Sequence, residues 1–189
     1  MKEVLVGMDP GKDGFITAFD GIDFKFYAMP THKVETGKTL KGGRPETKPE
    51  FHIAGLANLV FVLKRDFPEH AFKVAIEKVG GRGGNGATQN FNFGYVAGMQ
   101  RMVFEMLMAE IIEVRPQKWQ SVVRRGYELM KVKSSTGKTM VTDAKAMAEH
   151  IAITEYPEID FRKTERAKNN HDGKIDSFLI CLYLIRTQK

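Results

Sequence analysis

Apolar and polar positions follow two different periods along this chain, and the changes of period mark out its elements. Residues 4–8, VLVGM, form an unbroken apolar run that stops at Asp9-Pro10-Gly11, which predicts a buried first strand ended by a turn. GFITAF and DFKFYAMP are two further strand-like runs. Asp20-Gly21, in the DGID between them, is a strong hairpin signal, so the first three strands are predicted to be antiparallel. Over residues 50–67 the period lengthens: Ile53, Leu56, Leu59, Val60, Leu63 and Phe67 recur at helical spacing, with Pro68 as a stop. KVAIEKV, residues 73–79, returns to a short strand; the glycine-rich GGRGGNGATQ follows, and FNFGYVAGMQRMVFEMLMAE reads as a mostly apolar helix. IIEV at 111–114 is a fifth strand, and Pro116 suits the first turn of a short helix in PQKWQSVVRR. Thr142 is expected to cap a helix in TDAKAMAEHIAI, residues 154–171 read as a polar connection, and from Asp172 onward DGKIDSFLICLYLIRTQ reads as a closing helix that is apolar on most faces.

Three meandering strands followed by helix, strand, helix, strand and more helices make an α/β order. A crossover helix returns the fourth strand parallel beside the first. The result is a five-stranded mixed sheet, antiparallel through its first three strands and parallel thereafter, flanked by helices; the arrangement resembles the ribonuclease H-like fold. A length of 189 residues suits one domain, 1–189, and no internal repeat divides it. With 42% hydrophobic and 28% charged residues, no apolar run near the length of a bilayer span, and no basic-then-apolar leader, the chain is expected in the cytoplasm and away from membranes. Cys181, the only cysteine, lies inside FLICLYLI and reads as a buried thiol, which argues against zinc fingers and thiol catalysis.

The net charge of +6 favours an anionic partner, and its distribution is more informative than its total. Residues 31–49, THKVETGKTLKGGRPETKP, carry five Lys/Arg against two Glu without apolar periodicity and read as a flexible basic loop. A second basic tract runs through Arg124, Arg125, Lys131, Lys133, Lys138 and Lys145. Each tract is either a solvated surface or a set of phosphate contacts.

Against this basic background stand four acids in apolar surroundings. Asp9 ends the first strand and Glu77 breaks the alternation of the fourth; adjacent parallel strands lie about 4.8 Å apart, so both acids can face one cleft. Asp172 and Asp176 are four apart and share a helix face, where their repulsion is unfavourable unless a cation lies between them. A turn aspartate, a surface glutamate and an N-cap would account for three of these acids singly. Jointly they form an all-oxygen set suited to magnesium or manganese. Two such ions about 3.5–4 Å apart would support hydrolysis of a phosphodiester, with Lys and Arg holding the flanking phosphates.

These residues resemble a known family, the RuvC-like Holliday-junction resolvases, and in particular the compact versions encoded by bacteriophages. VGMDPGKDG is similar to the family's first-strand motif, AIEKV to its second, NFGYVAG to the helix start after it, and VRPQKWQ to a phage-type segment; HDGKIDSFLIC is the most specific match. TDAKAMAEHI followed by TEYPEIDF also resembles phage members. The resemblance implies a homodimer that binds a four-way DNA junction and cuts symmetrically related strands, with two magnesium ions in each active site. It assigns Asp9, Glu77, Asp172 and Asp176 as catalytic, metal-binding acids, although cellular members often space the last two by three residues rather than four. His171 is a candidate for assisting those acids or transferring a proton, against simple capping or exposure. Arg82, Lys118, Lys138 and Lys145 are candidates for DNA phosphate contact. The loop with Arg82, and Phe91 or Phe93 beside it, is a candidate to enter the junction and stack on bases, whereas Trp119 reads as a packing anchor. The alternatives are a less selective cutter of flaps and forks, a non-catalytic binder of branched DNA, and an actin-like ATPase. The last is disfavoured by length and by the missing upstream glycine of a phosphate loop in STGKT.

Overall fold

The computed structural model describes residues 2–78, 80, 86–134 and 136–188. Its elements are, in chain order, β1 (Glu3–Met8), β2 (Phe15–Phe19), β3 (Phe24–Ala28), β4 (Thr31–Thr39), β5 (Pro45–Phe51), α1 (Ile53–Asp66), β6 (Ala71–Glu77), α2 (Ala87–Glu105), β7 (Glu110–Val114), α3 (Pro116–Val123), β8 (Lys131–Lys133), β9 (Met140–Thr142), α4 (Ala144–Glu155) and α5 (Asp172–Thr187). The main sheet has the order β3-β2-β1-β6-β7. Its β1–β2 and β2–β3 pairs are antiparallel, and its β1–β6 and β6–β7 pairs are parallel, which is the expected mixed sheet.

Period-two alternation along β1 sends its side chains to two different cores. Val4, Val6 and Met8 join Val74 and Ile76 of β6 in a core with Leu56, Leu59, Val60 and Leu63 of α1 and with Val103 and Phe104 of α2. Leu5 and Ala75 face the other way, into a core built with α3, α4 and most of α5. Residues 4–8 of β1 are buried between the two layers, which is why the strand reads there as a continuous apolar run. The closing helix is buried from Ser177 to Leu184, which explains its apolar residues on nearly every face.

Several sequence expectations are displaced. Residues 31–49 are not an irregular basic loop: β4 and β5 pair as an antiparallel hairpin, with a register shift between Glu35 and Thr39. Its turn uses Gly42 and Gly43 at positive φ, a conformation that glycine adopts without steric cost. Its side chains are mostly polar and exposed, so only the backbone ladder marks it as sheet, and hydropathy carries no trace of it. The β8–β9 pair in the second basic tract escaped for the same reason. Helix α2 starts at Ala87, inside the glycine-rich segment. Ile53, expected on the packed face of α1, is exposed. Asp143, not Thr142, caps α4, its carboxylate accepting from the Ala146 N–H at 3.0 Å. Among the described residues no helix is long and apolar enough to cross a membrane.

Candidate active site

Strand register brings the first two acids together. Met8 is paired with Ile76 across the parallel β1–β6 ladder, so Asp9 and Glu77 each follow one residue later, at the same end of neighbouring strands. They share the parity of Leu5 and Ala75, which places them on the sheet face that α5 covers. The Asp9 backbone N–H still donates to the Phe15 carbonyl at 3.1 Å, extending the pairing with β2 past the strand's end.

The other two acids arrive on α5, and small residues let that helix come close enough. A Cβ on Gly7 would lie 2.2 Å from both the Cys181 nitrogen and the Ser177 carbonyl oxygen, so the backbone of α5 rests directly on β1. The buried hydroxyls of Thr17 and Ser177 are hydrogen-bonded at 2.8 Å, and the Cys181 thiol donates to the Leu5 carbonyl at 3.3 Å; both bonds fix the helix along its axis. Asp176, adjacent to Ser177, is thereby set over the ends of β1 and β6, and Asp172 follows one turn earlier. At the helix start a Cβ on Gly173 would lie 2.3 Å from the Asp13 carbonyl and 3.0 Å from Asp9 Oδ2, so only glycine lets this turn meet the β1–β2 connection.

Asp9 and Asp176 lie within reach of the other acids' charges. Burial, then the charges of Asp176, Glu77 and Asp172, push the Asp9 carboxyl up to about 8. Burial, then Glu77 and Asp172, push Asp176 up to about 7, with Lys145 and Arg124 offsetting part of the rise. Lys145 is ion-paired with Asp172, and that bond raises its own pKa. Asp9, Asp172, Asp176, Lys145, Glu149 and Lys168 line one open cleft of about 940 Å³. Glu77 stands behind it in the sheet, its Oε2 accepting the Trp119 indole N–H at 2.8 Å.

The remaining candidates separate. His171 is the N-cap of α5: its Nδ1 accepts from the Lys174 N–H at 3.3 Å, and burial followed by the nearby Lys163 lowers its pKa, in keeping with a neutral accepting ring. Its ring also packs against Phe15, 5.0 Å between centroids. Lys145 is at the cleft, whereas Lys118 and Lys138 are exposed and do not line it. Arg82 lies outside the described residues. Phe91 is 71% exposed and stacks on Tyr95, while Phe93 and Tyr95 line a second groove of about 690 Å³ with Lys12 and Lys48. That groove and the acidic cleft share Gly11. Trp119 is the packing anchor expected, 2% exposed, and is also the donor to Glu77. Sequence reasoning missed that second role, the close approach at Gly173, and half-buried Arg124, which faces the charge of Asp176. The glycine between the two acids of HDGKID was the one signal on view.

Among the described residues no three His, Cys, Asp or Glu groups are arranged to enclose a metal ion. The donor set nevertheless fits a hard divalent cation. All of its donor atoms are carboxylate oxygens, and Asp9 and Asp176 are pushed up first by burial and then by neighbouring acids, a setting that a cation would relieve. Lys145 pairs directly with Asp172 and, with Arg124, offsets only part of the rise at Asp176.

No family model matches the chain, and no curated protein sequence matches it. Solved structures are similar to it, two of RuvC among them. The Thermus thermophilus RuvC structure is 14% identical, covers 97% of this chain and 95% of its own, and gives a TM-score of 0.48. T. thermophilus RuvC in complex with Holliday junction substrate is 10% identical over the same shares and gives a TM-score of 0.50. The latter likeness agrees with the strand order β3-β2-β1-β6-β7 and the helices on either face: the chain has the ribonuclease H-like fold of RuvC.

Proposed function

We propose that this chain is a divalent-metal-dependent endonuclease that resolves four-way DNA junctions by phosphodiester hydrolysis. The observation that carries the reading is the convergence of Asp9 and Asp176 on one cleft, two mostly buried carboxyls whose proton affinity is raised first by that burial and then by neighbouring acids. A protein seldom buries acids against acids without a cation to receive. The basic surface and the fold shared with a protein solved on a Holliday junction support a branched polyanion as substrate. The likeness of VRPQKWQ and TDAKAMAEHI to bacteriophage-encoded members supports that kinship by sequence alone.

In this reading Asp9, Glu77, Asp172 and Asp176 hold two magnesium or manganese ions. When bound, these ions supply Lewis acidity toward a phosphodiester and counter its charge. Lys145 exchanges Asp172 for a backbone phosphate, and the charge of Arg124 offsets part of the burden on Asp176. His171, neutral and engaged as a cap, keeps the first turn of α5 in place. A homodimer presents two such sites to the two symmetric strands of a junction.

The test is side-by-side cleavage of four-way, flap, fork and linear duplex DNA, with magnesium, with manganese and with chelator. Metal-dependent, paired cuts confined to the four-way junction are expected. Equal cutting of flaps and forks would replace the junction reading with that of a general branched-DNA nuclease. Tight junction binding without cleavage under any metal would make the chain a binder.

A further inference from the structure

We infer that Trp119 is a positioning residue for the acidic centre: its indole N–H holds the Glu77 carboxylate in the orientation in which that group receives a metal ion. The inference rests on the proposed role of Glu77 and adds to it a residue outside the acid set. A side chain needed for packing alone requires no hydrogen-bond donor, and a buried indole is accommodated only where its N–H finds an acceptor. Here the acceptor is a carboxylate oxygen, at 2.8 Å.

The fold builds this contact from neighbouring elements. Glu77 pairs with Val114 across the β6–β7 ladder, and α3 begins two residues later, with Pro116 in its first turn. One turn of that helix returns Trp119 to the end of β6. The indole is clamped in the same core as Val114, Val123 and Ile175, and with 2% of its surface exposed it has little rotational freedom. It therefore passes the rigidity of the core to the carboxylate it touches. A bond from a neutral donor to a carboxylate is charge-assisted and directional, and outer partners of this kind typically govern metal affinity by roughly 10- to 100-fold when removed.

Trp119 is also the only tryptophan of the chain, so the intrinsic indole emission of the full-length protein reports on the Glu77 contact without a label. The experiment has two arms. In the first, manganese chloride and magnesium chloride are titrated into wild-type protein and into Glu77→Gln while indole fluorescence is followed; a metal-induced change in the wild type that disappears in Glu77→Gln is expected. In the second, Trp119 is replaced by benzothienylalanine, which keeps the shape and puts sulfur in place of N–H, with Trp119→Phe as a companion, and metal affinity is measured by calorimetry. A loss of roughly 10- to 100-fold in metal affinity is expected, with thermal stability of the isosteric variant and KM for junction DNA held near wild type and cleavage partly restored at high metal concentration. Metal affinity within twofold of wild type, or an unresponsive indole in a wild type that binds metal, overturns the positioning role and leaves the nuclease reading intact. A wild type that neither binds metal nor cuts branched DNA overturns that reading and this inference with it.

Discussion

Asp9 shows what burying an acid among acids costs, and the cost has a testable sign. In the unfolded chain its carboxyl titrates near 3.8; in the folded, metal-free chain it keeps its proton up to about 8, and Asp176 keeps its own up to about 7. Between those limits the folded state binds more protons than the unfolded one, so metal-free stability falls as pH rises from about 4 through about 8. Tm recorded in chelator across that window should decline, and magnesium should restore it most at the alkaline end. Asp9→Asn removes the ionisation cost and should raise the metal-free Tm at neutral pH by roughly 4–8 °C, for a relief on the order of 2 kcal/mol in a chain of this size. The same variant should lose metal-dependent cleavage by about 10³-fold or more while binding junction DNA as before, and Asp176→Asn should behave likewise. Unchanged cleavage in either would remove that residue from the site. At this scale the sequence was informative about identity and poor about company: Asp9 and Glu77 stood out as breaks in apolar strands, but nothing along the chain joined Trp119 to Glu77 or Lys145 to Asp172, contacts between residues 42 and 27 positions apart.

Elements position the site through two tight approaches. Helix α5 lies directly against β1 because Gly7 has no side chain, and a Cβ there would sit 2.2 Å from backbone atoms that have no freedom to move aside. Gly7→Ala should therefore shift the helix, cost about 3 kcal/mol or more, and carry Asp176 out of register with Asp9. Chemical denaturation and metal-dependent cleavage should fall together in this variant, unlike Asp9→Asn, where they separate. The apolar run FLICLYLI announced a buried helix, and the period of KVAIEKV announced a strand with one polar interruption. The β4–β5 hairpin went unannounced because its stability lies in main-chain pairing, to which hydrophobic pattern is blind, and its polar contacts, such as Thr36 to Glu46 at 2.6 Å, look like loop composition.

For the whole molecule, a net charge of +6 accompanies an acidic cleft, and on the proposed reading the two would act in sequence: basic residues would draw in the polyanion, and the acids would accept it only once cations had neutralised them. Junction binding should then be steeply salt-dependent. With about six to ten phosphate contacts, affinity measured by fluorescence anisotropy should drop by roughly 10³- to 10⁵-fold between about 50 and 200 mM salt. Lys145→Ala should lower the salt slope by roughly one unit, since one phosphate contact is lost.

The order of the five main-sheet strands and their helices, the four candidate acids and the basic surplus were legible in the chain because each is a local or compositional property: apolar period, turn chemistry and charge are written residue by residue. Which acids share a desolvated space, which cation answers Asp172, and which indole grips Glu77 were settled by strand register and by the seating of α5 on Gly7. Those contacts join residues far apart in sequence through packing at van der Waals distance, and no pattern along one chain encodes a distance across its core.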